Sequence, residues 1–480
     1  GCGTSGRSSK LVHGGLRYLA YGDFRMVREA ARERQVLREI APHLVHPLQF
    51  LMPVWQGQSL AKYQLGLWLF DRLSAATGDE RHQNLNVAEM AERLPGLRTG
   101  LRGGLAYGEY VTDDARLTLA NALSAAEHGA QLANHAPAVS IDQEGGRVVG
   151  ATVRDGLTGE TYRARAKVTV NATGPWAAQT LGLSGKPAPK ALMPSRGIHL
   201  LFRADRLPIP GAAALNAPSG RAGFAIRRWD YVYVGTTDDA YDGPLETPTA
   251  DAQAAASLLS LTRECFPGLE LTPEDIVGTW AGLRPLIAEP GKSPRDTSRH
   301  DEVWAGPDGL FTVAGGKLTT YRPMSRRVMR HVEQALGLSS GDGRRSAEEP
   351  LPGAAAPDRT KLRHLPEKTA ERLAWLYGAH TDRLLAMGDE DPAWLAPLAP
   401  GVPALCGEVR LAVEQEMALT LSDFLDRRSS LLLFTPDHGR AAAAATAAIM
   451  GPLLDWSEAE AERQVAEYGR VALAHQNPMA

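Results

Sequence analysis

At 480 residues the chain is too long for one ordinary core and calls for two or three domains. Apolar content of 44% and charged content of 22% exclude a disordered chain, and a net charge of −3 argues against a general nucleic-acid binder, which is basic overall. Cys2, Cys265 and Cys406 lie far apart and match no metal spacing, so they read as structural thiols of a reducing compartment, and no metal site is expected.

Residues 3–10 are Gly, Thr, Ser, Arg and Lys, a donor-rich loop of the kind that approaches an anionic ligand closely. Leu11 and Val12 give it an apolar anchor, His13-Gly14-Gly15 lets it turn, and Arg17 and Tyr18 follow the turn. Asp23 caps a helix from Phe24 to Ile40 whose Val27, Ala30, Leu37 and Ile40 share one face, and Pro42 ends it. Residues 48–54 read as the end of a strand. Between Lys62 and Arg72, Tyr63, Leu65, Leu67, Trp68, Leu69 and Phe70 suit a helix lying on a membrane surface, or equally a core helix. Residues 78–104 read as a connecting region and 105–111 as a strand.

Asp113 and Asp114 are expected as the cap and first-turn charge of a helix over residues 115–128. Short alternating strands with glycine turns occupy 139–171, and the last runs into Thr173, Gly174 and Trp176. Further strands fall at 198–202, 223–226 and 231–234, the last leading to Thr236-Thr237-Asp238-Asp239. A helix over 248–266 precedes a strand over 276–280, with Gly282 and Arg284 read as lying just past its end. A strand at 310–313 feeds Gly315-Gly316-Lys317-Leu318-Thr319 and a helix through Leu336. Residues 339–360 form a linker, and 361–475 are helical in pattern. The longest nearly apolar run, 441–454, is about four residues short of a spanning helix.

Three expected strand ends thus carry glycines, at Gly174, Gly282 and Gly315-Gly316, and two are followed by a cation, Arg284 and Lys317. A strand ending in a small-residue turn is where open α/β sheets bind ligands. The helix start after Gly316 favours an anion, and Arg17, Arg284 and Lys317 would suit a small anionic substrate carrying carboxylate or phosphate.

The opening loop 5–19, residues 171–176, 235–239, 281–286 and 314–322, in this order and spacing, resemble the FAD-dependent glycerol-3-phosphate dehydrogenases over essentially the whole chain. The resemblance implies an α/β fold. An FAD-binding Rossmann-like domain would be assembled from residues 1–50, 115–185 and 280–338, and a mixed-sheet substrate or cap domain from 51–114 and 186–279. The 339–360 linker and an all-α C-terminal domain over 361–480 would follow. It implies oxidation of sn-glycerol 3-phosphate to dihydroxyacetone phosphate by hydride transfer to FAD. Electrons would pass to a quinone, on a cytoplasmic protein attached peripherally to the inner face of the cell membrane through residues 62–72, and as a homodimer. Ser8, Ser9, Lys10, Leu11, His13, Gly14, Gly15, Thr173, Gly174, Trp176, Gly316, Lys317, Leu318 and Thr319 are the implied flavin contacts. Arg17, Tyr18, Thr237, Arg284 and Lys317 would surround the substrate, Arg17 and Lys317 at its phosphate and Arg284 at the reacting C2 oxygen. His13 has the intrinsic pKa range of a base. The resemblance sets in after the family's N-terminal strand–GxGxxG–helix unit, which this chain is expected to lack. Two other functions stay open: a catalytically silent binding body, and an FAD oxidoreductase of the amino-acid-oxidase kind.

Overall fold

A computed structural model of the chain describes residues 1–20, 22–291, 297, 300–306 and 308–480, without the side chains of Arg17, Ala20 and Asp79. It is a mixed α/β fold followed by a helical domain. Its centre is a ten-stranded sheet in the order Leu11–Val12, Leu101–Thr112, Val45–Trp55, Ala212–Asn216, Ala222–Arg228, Tyr231–Gly235, Leu192–Arg203. Asp239–Ala240 and Ile276–Ile287 also pair with Leu192–Arg203, and Gln83–Leu85 pairs with Leu101–Thr112. Among the described residues of this sheet, only Ala212–Asn216 against Val45–Trp55 is parallel. A second sheet sets Thr169–Asn171 parallel to Leu310–Gly315, with Asp301–Ala305 antiparallel on the far side. An antiparallel meander, Ala138–Glu144, Arg147–Arg154 and Thr161–Arg165, packs beside it.

Local chemistry fixes several elements where the sequence put them. Helix Phe24–Ile40 begins at Asp23, whose carboxylate accepts from the Met26 N–H at 3.0 Å, and it buries Val27, Ala30, Leu37 and Ile40. Helix Leu60–Ser74 is capped by Ser59 and buries Leu67 and Phe70, leaving Leu65 64% and Trp68 49% exposed. The alanine-rich run forms helix Arg440–Leu453, which packs Ala442, Ala443, Ala447 and Met450 into the core. No helix among the described residues is long and apolar enough to cross a membrane.

Other elements differ from expectation. Residues 78–104 are not a plain connection: Gln83–Leu85 is a strand, and Asn86 and Glu89 form a capping box that starts helix Val87–Arg93. The stretch 339–360 carries a turn of helix, Arg345–Glu348, and is pinned by buried Leu351, whose N–H donates to the Ile40 carbonyl. The strand expected to stop at Trp280 runs on to Ile287, so Gly282 and Arg284 sit in mid-strand opposite Gly197 and Ser195. Gly282 is there for close approach and not for a turn, because a Cβ would stand 2.5 Å from the Arg7 carbonyl oxygen. Asp113 is the helix cap and Asp114 the first-turn acid, as expected, but Asp114 also reaches out of its helix to the opening loop.

Candidate active site

The opening loop is held from below by two buried carboxylates. Asp114 accepts from Ser8 Oγ at 2.6 Å, from the Ser8 N–H at 3.1 Å and from Lys10 Nζ at 2.5 Å. Ser8 Oγ in turn accepts from the Lys10 N–H at 2.9 Å, which closes a turn with Lys10 at φ +54°. Leu11 and Val12 then pair with Val111 and Tyr110. Glu109 accepts from the Gly14 N–H at 2.7 Å and from Arg34 at 3.0 Å, fixing the His13-Gly14-Gly15 turn. Burial raises the pKa of both carboxylates, against the pull of Lys10 on Asp114 and of Arg34 on Glu109. Next to Asp114, burial also acts against ionisation of Asp113, but Lys10 and Arg228 hold its pKa below the usual value.

Held in this way, the loop sends groups into two clusters. In the first, Ser9 Oγ lies 2.8 Å from His199 Nε2, and the Ser9 carbonyl accepts from Tyr233 OH at 3.0 Å. The His199 ring stacks on Trp280, with centroids 4.6 Å apart and an interplanar angle of 13°. His199 is buried, and its Nδ1 has no hydrogen-bond partner among the described residues. Its pKa lies well below the ordinary value, first through burial and then through Arg284 and Lys10, so the ring is neutral. Arg284 donates to Thr236 Oγ1 at 3.0 Å, the Thr237 carbonyl at 3.1 Å and Asp238 Oδ1 at 3.2 Å, which fixes its guanidinium beside Gly197. Thr237 Oγ1 is tied to the Arg196 carbonyl and the Ile198 N–H.

In the second cluster, Lys317 Nζ stands over the Tyr18 ring, 4.2 Å from its centroid, and a Cβ on Gly15 would come within 3.6 Å of it. Thr319 Oγ1 donates to the His13 carbonyl at 3.3 Å, joining the last strand–helix turn to the opening turn. Arg17 lies in helix Leu16–Ala20, and its side chain is outside the described residues. At the loop's start, Trp176 packs against Gly3 and donates to Glu246 at 2.8 Å, while Thr173 Oγ1 bonds Asn171.

Several side chains expected at the cofactor are committed within the protein: Lys10 and Ser8 bond Asp114, Leu11 packs into a hydrophobic core and Leu318 packs partly buried against another. His199, Glu109 and Asp114 escaped the sequence reading as site residues. His199 and Glu109 were legible as lone ionisable residues within apolar strand segments, 198–202 and 105–111, where burial demands a partner.

The residues present fit the ring end of a flavin. Gly315 and Gly316 take φ +74° and +85°, and beyond them a 3-10 turn, Leu318–Thr320, begins without a side-chain cap and runs straight into helix Tyr321–Ala335, a helix start of the kind that favours an anionic edge. A Cβ on Gly174 would meet nothing within 4 Å, and among the described residues the Nδ1 of His199 has no acceptor or donor. Gly1, Gly3 and Gly6 spell G-x-G-x-x-G, but they form a single 3-10 turn, Thr4–Gly6, leading into loop rather than helix, so they are not a pyrophosphate cradle.

A strand-end flavin site beside a large mixed sheet defines the class of FAD-dependent oxidoreductases. A family profile described as "FAD dependent oxidoreductase" matches residues 1–322, and a second, "C-terminal domain of alpha-glycerophosphate oxidase", matches 326–461. The aerobic glycerol-3-phosphate dehydrogenase of Bacillus subtilis is 35% identical over 95% of this chain and 85% of its own length, and that of Staphylococcus epidermidis 35% over 97% and 87%. The crystal structure of the glycerol-3-phosphate dehydrogenase from Bacillus halodurans complexed with FAD superposes with a TM-score of 0.80 at 32% identity, covering 100% of this chain and 89% of that one. The chain belongs to the family of FAD-dependent aerobic glycerol-3-phosphate dehydrogenases, and FAD is its cofactor.

Proposed function

We propose that the chain oxidises sn-glycerol 3-phosphate to dihydroxyacetone phosphate and passes the electrons to a quinone at the inner face of the cell membrane. When bound, FAD supplies the hydride acceptor. Lys317 and Arg17 hold the phosphate, with Tyr18 confining the lysine. Arg284, locked by residues 236–238, donates to the C2 oxygen and stabilises charge developing there. His199 takes the hydroxyl proton at Nδ1 while Ser9 steadies Nε2. His13, Gly14 and Gly15 shape the turn beneath the substrate, and Ser8–Leu11, Thr173, Gly174, Trp176, Gly316, Leu318 and Thr319 line the cofactor.

One observation supports this above the rest. An unprotonated, buried imidazole whose Nδ1 has no hydrogen-bond partner among the described residues stands near a fixed guanidinium, an acceptor for the hydroxyl proton together with a donor to the oxygen it leaves. For the membrane, Leu65 and Trp68 stand out from helix Leu60–Ser74 with Arg72 stacked 5.2 Å over Trp68, an apolar ridge with a flanking cation.

The test is anaerobic addition of glycerol 3-phosphate to the flavin-loaded protein, which bleaches the visible flavin band. Lys317→Met should raise KM for glycerol 3-phosphate far more than for glycerol. An unbleached spectrum sinks the reaction, and equal losses for both substrates sink the phosphate assignment.

A further inference from the structure

The C-terminal helical domain carries no group of the proposed reaction, yet it reaches the back of the reaction wall at four points. Asp426 grips Arg7 of the opening loop with two hydrogen bonds of 2.8 and 2.9 Å, its own side chain 5% exposed. Ser430 Oγ donates to Asp113 at 2.8 Å, beside the aspartate that holds Ser8 and Lys10. Phe434 packs edge-on against Trp280, the ring on which His199 stacks. His475 accepts from the Thr279 N–H at 2.8 Å, and its Nδ1 lies 2.9 Å from the Thr279 carbonyl oxygen, one residue before Trp280. Arg7, in turn, lies against Gly282, two residues before Arg284.

We propose that this domain is a brace for the flavin loop and that Asp426, acting through Arg7, is a positioning residue for Ser9 and His199. The physical case is one of connectivity. Residues 3–10 form no α-helix or long strand of their own, so their geometry depends on side-chain anchors at both ends. Asp114 holds Ser8 and Lys10 on either side of Ser9, and Asp426 holds Arg7, the residue before Ser8. A bidentate arginine–carboxylate pair fixes orientation as well as distance, and a loop released at Arg7 loses its registry on Gly282 and with it the Ser9–His199 contact. Arg7 and Arg427 hold Asp426 ionised against the opposing effect of burial.

The inference rests on the proposed reaction only for its kinetic readout. Asp426→Asn in the 480-residue chain keeps the shape and removes the charge. Amide hydrogen exchange over residues 3–15 should rise in this variant, and turnover per bound flavin should fall roughly tenfold with KM little changed. Asp426→Glu should recover most of both. As a control, Glu408→Gln breaks a buried pair of the same domain, Arg372–Glu408, and should lower the melting temperature without touching exchange in 3–15 or turnover per flavin. If Asp426→Asn does not fold, Arg7→Gln opens the same pair from the loop side. The proposal is overturned if exchange over 3–15 matches the parent's, if Glu408→Gln mobilises that segment equally, or if turnover per flavin is unchanged. Failure of glycerol 3-phosphate to reduce the parent would defeat the proposed reaction and leave the exchange result to decide the brace.

Discussion

Replacing Asp114 by Asn should destabilise the protein by about 3–5 kcal/mol, the cost of leaving a buried charge without its partner. Both members of the pair are nearly inaccessible, with side chains 2% and 0% exposed for Lys10 and Asp114. Without the carboxylate's charge, Lys10 Nζ is left with neutral acceptors, the new amide oxygen and the Gly6 carbonyl oxygen at 3.4 Å. The new amide would also set its own N–H groups against the donors of Ser8. The opposite change is milder. Lys10→Met removes the ammonium but leaves Asp114 the two Ser8 donors and the Ala115 N–H, so it should cost about 1–3 kcal/mol. The double variant should cost less than the sum, because neither charge of the pair is then stranded. Urea unfolding followed by tryptophan fluorescence reads all three. A loss below about 1 kcal/mol for Asp114→Asn, or a larger loss for Lys10→Met than for Asp114→Asn, would refute the reasoning.

Acid should unfold the protein earlier than its carboxylates alone require. Burial lowers His43, His46 and His475 to about 3. Below the ordinary histidine value of about 6.5 the unfolded chain binds protons that the folded chain refuses, so stability falls as pH drops from there toward 3, by about 1.4 kcal/mol per pH unit for each ring. Urea midpoints across this window should flatten in His475→Gln, and an unchanged slope would show that this ring is not a contributor. Gly282→Ala should drive the new methyl into the Arg7 carbonyl oxygen and lower the flavin-to-protein ratio of the purified protein; full flavin content would mean that the close approach is dispensable. Leu65→Glu with Trp68→Glu should abolish sedimentation with anionic lipid vesicles while turnover with a soluble dye acceptor stays at the parent value. Retained sedimentation would move the membrane contact elsewhere.

Elements governed by neighbours in sequence were legible. The Asp23 cap, the buried face of helix Phe24–Ile40 and the helix around residues 62–72 depend on spacings of three and four residues, and they stand as read. Elements governed by distant partners were not. Gly282 and Pro285 signal a break, yet the strand continues because Leu192–Arg203 pairs with it over its whole length and Arg7 needs the missing side chain. Asp114 has the local credentials of a first-turn charge, and nothing near it tells of Lys10, 104 residues earlier. For the same reason motif resemblance points to Arg284, Lys317 and Tyr18 as site candidates, whereas the carboxylates that set the loop's shape came only from the fold. Four of the positions expected to contact the cofactor, Ser8, Lys10, Leu11 and Leu318, bear side chains committed within the protein.

The Arg7–Asp426 pair spans 419 residues, and the Thr4–Leu283 bond spans 279. A loop with so little structure of its own therefore precedes nearly all of its anchors in order of synthesis. Leu11 and Val12 find a strand about a hundred residues later, the strand behind Arg7 comes after that, and the clamp on Arg7 comes last. Contacts of such range close slowly, since chain entropy must be given up before they form. The opening loop should accordingly be among the last parts of this protein to take its final shape, and FAD uptake should trail the collapse of the central sheet during refolding.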